Sequence, residues 1–248
     1  LPQWFEGSEY THKVAVCVMK YGPISRITLA RILGLSQGAV SRITSDLIYA
    51  GVIEETPMPS GKAGKLPKGF VQKENAERRG RPQTGLRIIE NARSFVGMKI
   101  NATHISAVAV NAIGQIITGC HDLEIEDTSP QTVVALIKQL TIDCSDEAEM
   151  AGWPKPCAVG ISLGGYVIDN AVVTFAPFMH WSQPVELSAM VHEATGLPTG
   201  IYNDIDSLVV DACLFGSGVG LDSFAVLTFG AGVGYSLTVN GELVSCPD

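Results

Sequence analysis

Residues 10–53 set apolar side chains at helical spacing, with Leu29 and Leu33 on one face and Val40, Ile43 and Leu47 at i, i+3 and i+7. That pattern predicts helix. Residues 56–82 are rich in Pro, Gly and Lys without an apolar face and predict a loop or linker. From Phe95 onward β-branched alternation takes over, and strands are expected at 95–100, 105–110 and 115–118, a meander with turn residues at 111–114. A helix over 130–140, an acidic Pro-containing loop, and strands at 157–162 and 172–175 come next. Helix 185–195, strand 200–202, helix 205–215 and paired strands at 224–228 and 235–239 complete the order. Strands mixed with helices behind an all-α start mean an α/β domain preceded by a helical one.

Residues 26–44 fill the positions of a helix-turn-helix. Small Ala30 permits close helix crossing, Gly34 suits the left-handed turn residue, Leu35 plugs the turn and Ser36 suits the N-cap of the second helix. The face opposite the apolar stripe presents Gln37, Gly38, Ser41, Arg42 and Ser45, short or hydrogen-bonding side chains. Such a face suits a helix that enters a major groove about 12 Å wide and reads base edges. An ordinary helical hairpin with a solvated polar face is the plainer alternative. Residues 52–54 and 85–88 are expected as two strands of a wing, around a basic insert holding Lys62, Lys65, Lys68, Lys73, Arg78, Arg79 and Arg81. Phosphate contact is its natural role and a solvated loop the alternative.

Charge sharpens this picture. The chain of 248 residues is acidic at net −8, yet residues 1–93 carry 14 Lys and Arg against 8 Asp and Glu. Residues 94–248 carry 3 basic and 17 acidic side chains. A basic module for a polyanion, attached to an acidic module for another ligand, follows from that asymmetry. The six cysteines (17, 120, 144, 157, 213 and 246) stand singly, which predicts reduced thiols and a cytoplasmic protein. No secretory leader or membrane span is expected.

The helix-turn-helix, Arg79-Gly80-Arg81-Pro82, residues 97–117, residues 175–181 and Tyr202-Asn203-Asp204 occur in the order of the ROK family, and the chain resembles that family's regulator branch over nearly its whole length. The resemblance implies a winged helix-turn-helix joined to a sensor with the actin-like, ribonuclease-H-like ATPase fold, binding sugar in its cleft. The expected domains are residues 1–80 for DNA binding with a basic wing, 81–94 as a linker strand, 95–218 as the first ROK lobe, and 219–248 as the start of a second lobe largely absent from this chain. The family's structural zinc motif would fall beyond residue 248, so no metal or cofactor is expected within these residues.

Residue by residue, the resemblance is selective. Kinases of the family carry Asp-x-Gly-Gly-Thr in the first strand pair to wrap ATP phosphates and assist Mg²⁺; here the residues are Lys99, Ile100, Asn101, Ala102 and Thr103. A cation replaces the acid and both glycines are gone, which opposes ATP use. Gly230-Ala231-Gly232-Val233-Gly234 resembles the family's other phosphate loop, although strands on both sides favour a tight hairpin. Asn203 and Asp204 match the pair that holds sugar hydroxyls, Gly164-Gly165 resembles the backbone turn beside the sugar, and Phe178 replaces a usual sugar-binding Asn. Asp204 would also serve as a helix cap, and Trp181 fits the family's Trp as core packing.

Gly160-Ile161-Ser162-Leu163-Gly164 spells a hydrolase elbow, but turn and strand residues follow where that motif needs a helix. His192-Glu193 lacks the second His of a zinc-protease helix. Three readings stay open: a repressor-like regulator of carbohydrate metabolism that binds duplex DNA as a homodimer or dimer of dimers with Ser36, Gln37, Gly38, Ser41, Arg42, Ser45, Arg79 and Arg81, and a sugar effector at Gly165, Asn203 and Asp204; a sugar kinase with an extra domain; and a regulator whose sensor binds no sugar.

Overall fold

Three serines start the first three helices. In a computed structural model, which describes residues 7–58, 66–67, 70, 84–230 and 232–244, the side chains of Ser8, Ser25 and Ser36 accept hydrogen bonds from the backbone N–H groups of Thr11, Thr28 and Ala39. Each bond satisfies an amide that a helix start leaves unpaired. The helices are α1 (Glu9–Tyr21), α2 (Arg26–Leu33) and α3 (Gln37–Tyr49). The expected helical stretch is thus broken twice, at Gly22-Pro23 and at Gly34, whose φ of 64° lies in the left-handed region that a β-carbon disfavours.

These helices bury Val14, Cys17 and Val18 from α1, Leu29 and Ala30 from α2, and Val40 and Leu47 from α3. Leu33 and Ile43, expected inside, are half-buried. Thr44 is buried instead, and its hydroxyl accepts Nε–H of Arg26 at 2.9 Å while the same guanidinium reaches Glu55 at 2.8 Å. Arg26 thereby ties α2 to α3 and to β1 (Ile53–Pro57). Strand β1 pairs antiparallel with β2 (Thr84–Ile88), with Ile53 opposite Ile88. Ile24 adds a bridge through two backbone bonds to Leu86, at 3.0 and 2.9 Å. Residues 84–88, inside the expected 81–94 linker, are therefore hydrogen-bonded into this helical unit. The chain divides into two compact units, one made of Phe5–Ala92 with Val209–Leu227 and Ser236–Asp248, the other mainly of Arg93–Leu208 with Thr228–Tyr235.

The second unit is built on a five-stranded sheet in the order β5-β4-β3-β6-β9. Its strands are β3 (Ser94–Ile100), β4 (His104–Asn111), β5 (His121–Glu124), β6 (Pro156–Leu163) and β9 (Thr199–Asn203). β3, β4 and β5 form an antiparallel meander, whereas β6 runs parallel to β3 and β9 parallel to β6. Alternation along β3 turns Val96, Met98 and Ile100 to one face, where they pack with Ile137, Leu140 and Cys144 of α4 (Pro130–Met150) and with Leu187 and Val191 of α5 (Leu187–Thr195).

Two elements differ from those the sequence predicts. The third meander strand is His121–Glu124, not 115–118: Asn111 closes the turn by accepting Ile113 N and Gln115 N, the pairing survives only as the Val110–Ile116 bridge, and Thr118 Oγ1 takes the Ala109 amide. Helix α4 continues to Met150 through the segment expected as an acidic loop, because Thr141, Cys144 and Ala148 extend its buried stripe while the carboxylates face outward.

A short hairpin, β7 (Tyr166–Ile168) with β8 (Val172–Phe175), follows β6, and α6 (Asp204–Leu214) follows β9. The strands β10 (Phe224–Phe229), β11 (Val233–Val239) and β12 (Glu242–Leu243) form a separate sheet in that order. The Gly-rich segment is therefore a turn between neighbouring strands, closed by Gly230 N–H to Gly232 O at 2.9 Å; Ala231 lies outside the described residues.

Candidate functional site

Register fixes where chemistry collects. Ile100 of β3 is opposite Leu163 of β6, and Leu163 is opposite Asn203 of β9, so the three parallel strands end abreast. Of their next residues, Asn101 and Gly164 begin two turns and Asp204 begins α6, all along one edge. Carboxyl ends of parallel strands are where open α/β sheets bind ligands.

At the first of these turns the backbone is already occupied. Asn101 Oδ1 accepts the amides of Thr103 at 2.9 Å and His104 at 2.8 Å, and its own amide donates to His104 O at 3.0 Å. The amides that a glycine turn would offer to a phosphate are spent on the protein itself. Lys99 is exposed on β3, between Ser106 and Ser162 on the neighbouring strands.

The second turn needs its glycine. A β-carbon on Gly165 would lie 2.5 Å from the Phe175 carbonyl oxygen and 3.1 Å from Leu163 Cδ1, well inside contact distance. The Gly165 carbonyl accepts Nδ2–H of Asn203 at 2.9 Å, while Asn203 Oδ1 accepts Ile205 N at 2.8 Å and Asp206 N at 3.4 Å. Asn203 thus caps α6 where the sequence assigned that task to Asp204, because the helix begins one residue earlier than expected, and it clamps the glycine turn to the helix start. Asp204 is the first residue of α6, half-buried, and no hydrogen bond or ion pair among the described residues holds its carboxylate. A β-carbon on Gly164 would sit 3.8 Å from Asp204 Oδ2 and 3.5 Å from the ring of Phe178, so carboxylate and ring converge there. An ionised carboxylate beside a helix N-terminus accepts hydroxyl hydrogen bonds and gains from the helix dipole.

The structure brings Gly165, Asn203 and Asp204 together. It also shows what the sequence did not assign: Asn101's side chain as the closure of the first turn, and Phe178 as an exposed ring beside Asp204. Trp181 is buried, its indole N–H donating to Thr128 O at 2.6 Å, which makes it a packing residue.

The residues expected to meet nucleic acid lie on the helical unit. Ser36, Gln37, Gly38, Ser41, Arg42 and Ser45 are all exposed along one side of α3 and its cap, opposite buried Val40, Thr44 and Leu47. Ser45 Oγ donates to Ser41 O at 2.9 Å. Arg79 and Arg81, with Lys62, Lys65, Lys68, Lys73 and Arg78, lie outside the described residues. Among the described residues no group of three or more His, Cys, Asp or Glu side chains is placed to hold a metal, and no helix is long and apolar enough to cross a membrane.

Comparison with known proteins adds ancestry. Residues 95–247 match the model of the ROK family. The DNA-binding transcriptional repressor Mlc of Escherichia coli (strain K12) is 22% identical over 227 residues, which are 90% of this chain and 51% of Mlc. A crystal structure of a ROK family transcriptional regulator, homologous to the E. coli Mlc protein, superposes with a TM-score of 0.71 at 23% identity, covering 95% of this chain and 55% of that one. A ROK family glucokinase from Streptomyces griseus, in complex with glucose and AMPPNP, superposes with a TM-score of 0.52 at 29% identity, covering 61% of this chain and 46% of that one. The chain thus spans about half the length of these relatives.

Proposed function

Since the chain belongs to the ROK family and its α/β unit has that family's actin-like, sugar-kinase-like fold, we propose that it is a DNA-binding regulator of carbohydrate metabolism, a repressor whose operator affinity is set by a sugar. The helical unit is read as a winged helix-turn-helix with α3 as recognition helix and β1–β2 as wing. Two copies, or a dimer of dimers, bind half-sites about 34 to 36 Å apart, because one helix covers too few base pairs. Gly165, Asn203 and Asp204 form the effector site.

The observation that carries this reading is the unequal state of the strand-end turns. The carboxylate suited to a sugar hydroxyl is unengaged at Asp204, whereas the amides suited to phosphate are closed by Asn101. Recognition without phosphoryl transfer is a sensor's chemistry. Two relatives support the two halves of the reading: Mlc is a DNA-binding repressor, and the S. griseus glucokinase holds glucose on the same fold.

The test is a gel-shift titration of the full-length protein on its own operator. Arg42→Ala should weaken binding by about 1 to 3 kcal/mol if it reads a base, or more evenly across sequences if it meets phosphate. A sugar panel that includes glucose should shift the wild-type titration. An Arg42→Ala protein equal to wild type would overturn the placement of the recognition face, and a panel without effect would overturn the sensor.

A further inference from the structure

Phe178 is held outward by the residues around it. Ala176 before it and Met179 after it are buried, and Ala176 and Trp181 exchange two backbone hydrogen bonds of 3.1 Å, closing the one-turn helix Pro177–Met179 of which Phe178 is the middle residue. His180 completes the closure with a φ of 58°, in the left-handed region. Between buried Ala176 and buried Met179, Phe178 remains 60% exposed. Its ring abuts Gly164 on the side that Asp204 Oδ2 also approaches. An exposed aromatic ring converging with an unengaged carboxylate has the make-up of a small-molecule site, apolar surface with a few placed polar groups.

We propose that Phe178 sets effector specificity: the site takes a neutral sugar that carries an apolar group, an O-alkyl, O-aryl or N-acyl substituent, where the ring lies, and gives a hydroxyl to Asp204. This rests on the sensor reading of Gly165, Asn203 and Asp204. The physical reason is that a phenyl ring neither donates nor accepts a conventional hydrogen bond. A free hydroxyl pressed against it loses its water without a partner, while an apolar substituent there removes its own surface and the ring's from water. Charge restricts the ligand further. Residues 94–248 hold only Lys99, Lys138 and Lys155 as basic side chains against 17 acidic ones, and no Arg. A phosphorylated or carboxylated sugar would meet the Asp204 carboxylate, which among the described residues forms no ion pair.

The experiment is calorimetric titration of the full-length protein and of Phe178→Asn with three probes: glucose, methyl β-glucoside and phenyl β-glucoside. Thermal melting of both proteins serves as the folding control, which an exposed position should leave unchanged. Wild type should bind phenyl β-glucoside about tenfold or more tightly than glucose, and Phe178→Asn should lose that preference or reverse it. Binding of the probes without that preference, or a preference unmoved in Phe178→Asn, overturns this proposal and leaves the sensor reading standing. Failure of all three probes to bind either protein overturns this proposal; the sensor reading falls with it only if the wider sugar panel also leaves operator binding unchanged.

Discussion

Asn203 and Asp204 are neighbours with similar polar oxygens, and the backbone divides their work. A residue immediately before a helix has the extended geometry from which a side-chain oxygen reaches the first free amides. Asn203 occupies that place, so its Oδ1 caps α6 and its Nδ2 remains to hold the Gly165 carbonyl. Asn203→Ala should therefore destabilise the protein by about 1 kcal/mol from the cap alone, with a further loss from the Gly165 carbonyl, and should abolish the effector response while sparing operator binding. Asn203→Asp keeps the acceptor and loses the donor, so it should retain most of the stability and still impair the effector site. Urea denaturation and effector titration of the two variants check this; an Asn203→Ala protein as stable as wild type would refute the clamp. That the pair stands where a strand ends and a helix begins was legible in the sequence. Which member caps the helix was not, because Asn and Asp are nearly equal caps and only the helix boundary, one residue earlier than expected, separates them.

Elements whose chemistry is local were the most legible. Ser36 and Gly34 act within three residues of themselves, as cap and left-handed turn, and both stand where the sequence put them. The strand expected at 115–118 was displaced to His121–Glu124 because its pairing depends on Thr118 and on the Glu147 carboxylate, which accepts Gly119 N–H at 2.8 Å from 28 residues away. No local pattern encodes that contact. The β3–β4 turn shows the same limit in a functional setting. The sequence shows the missing glycines, but only the fold shows Asn101 closing the amides. Removing one obstacle should then be insufficient for nucleotide binding. Mg-ATP should leave the melting temperature of the full-length protein unchanged, and Lys99→Asp alone should not alter that, because Asn101 still occupies the turn. A melting shift of several degrees with Mg-ATP, or phosphorylation of any sugar in the panel that Asp204→Asn abolishes, would restore the kinase reading.

The whole chain carries two opposed charges, +6 over residues 1–93 and −14 over residues 94–248, and the proposed function assigns each to a different ligand. Operator binding by the basic part releases counterions from DNA, so its affinity should fall steeply as salt rises. A neutral sugar in the acidic part displaces no counterions, and its affinity for the free protein should be nearly independent of salt. Linkage joins the two. If a sugar weakens operator binding by a coupling of about 1 to 3 kcal/mol, roughly 5- to 150-fold, the operator must weaken sugar binding by the same factor. Measuring operator affinity with and without saturating sugar, and sugar affinity with and without saturating operator, should return one factor from both directions at each salt concentration. Sugar affinity that instead falls with salt in parallel with DNA affinity would mean that the effector is charged, contradicting the neutral sugar proposed to meet the unengaged Asp204 carboxylate. A factor of one from both directions would mean that sugar and operator bind without communicating, and the α/β unit would then be a scaffold rather than a sensor.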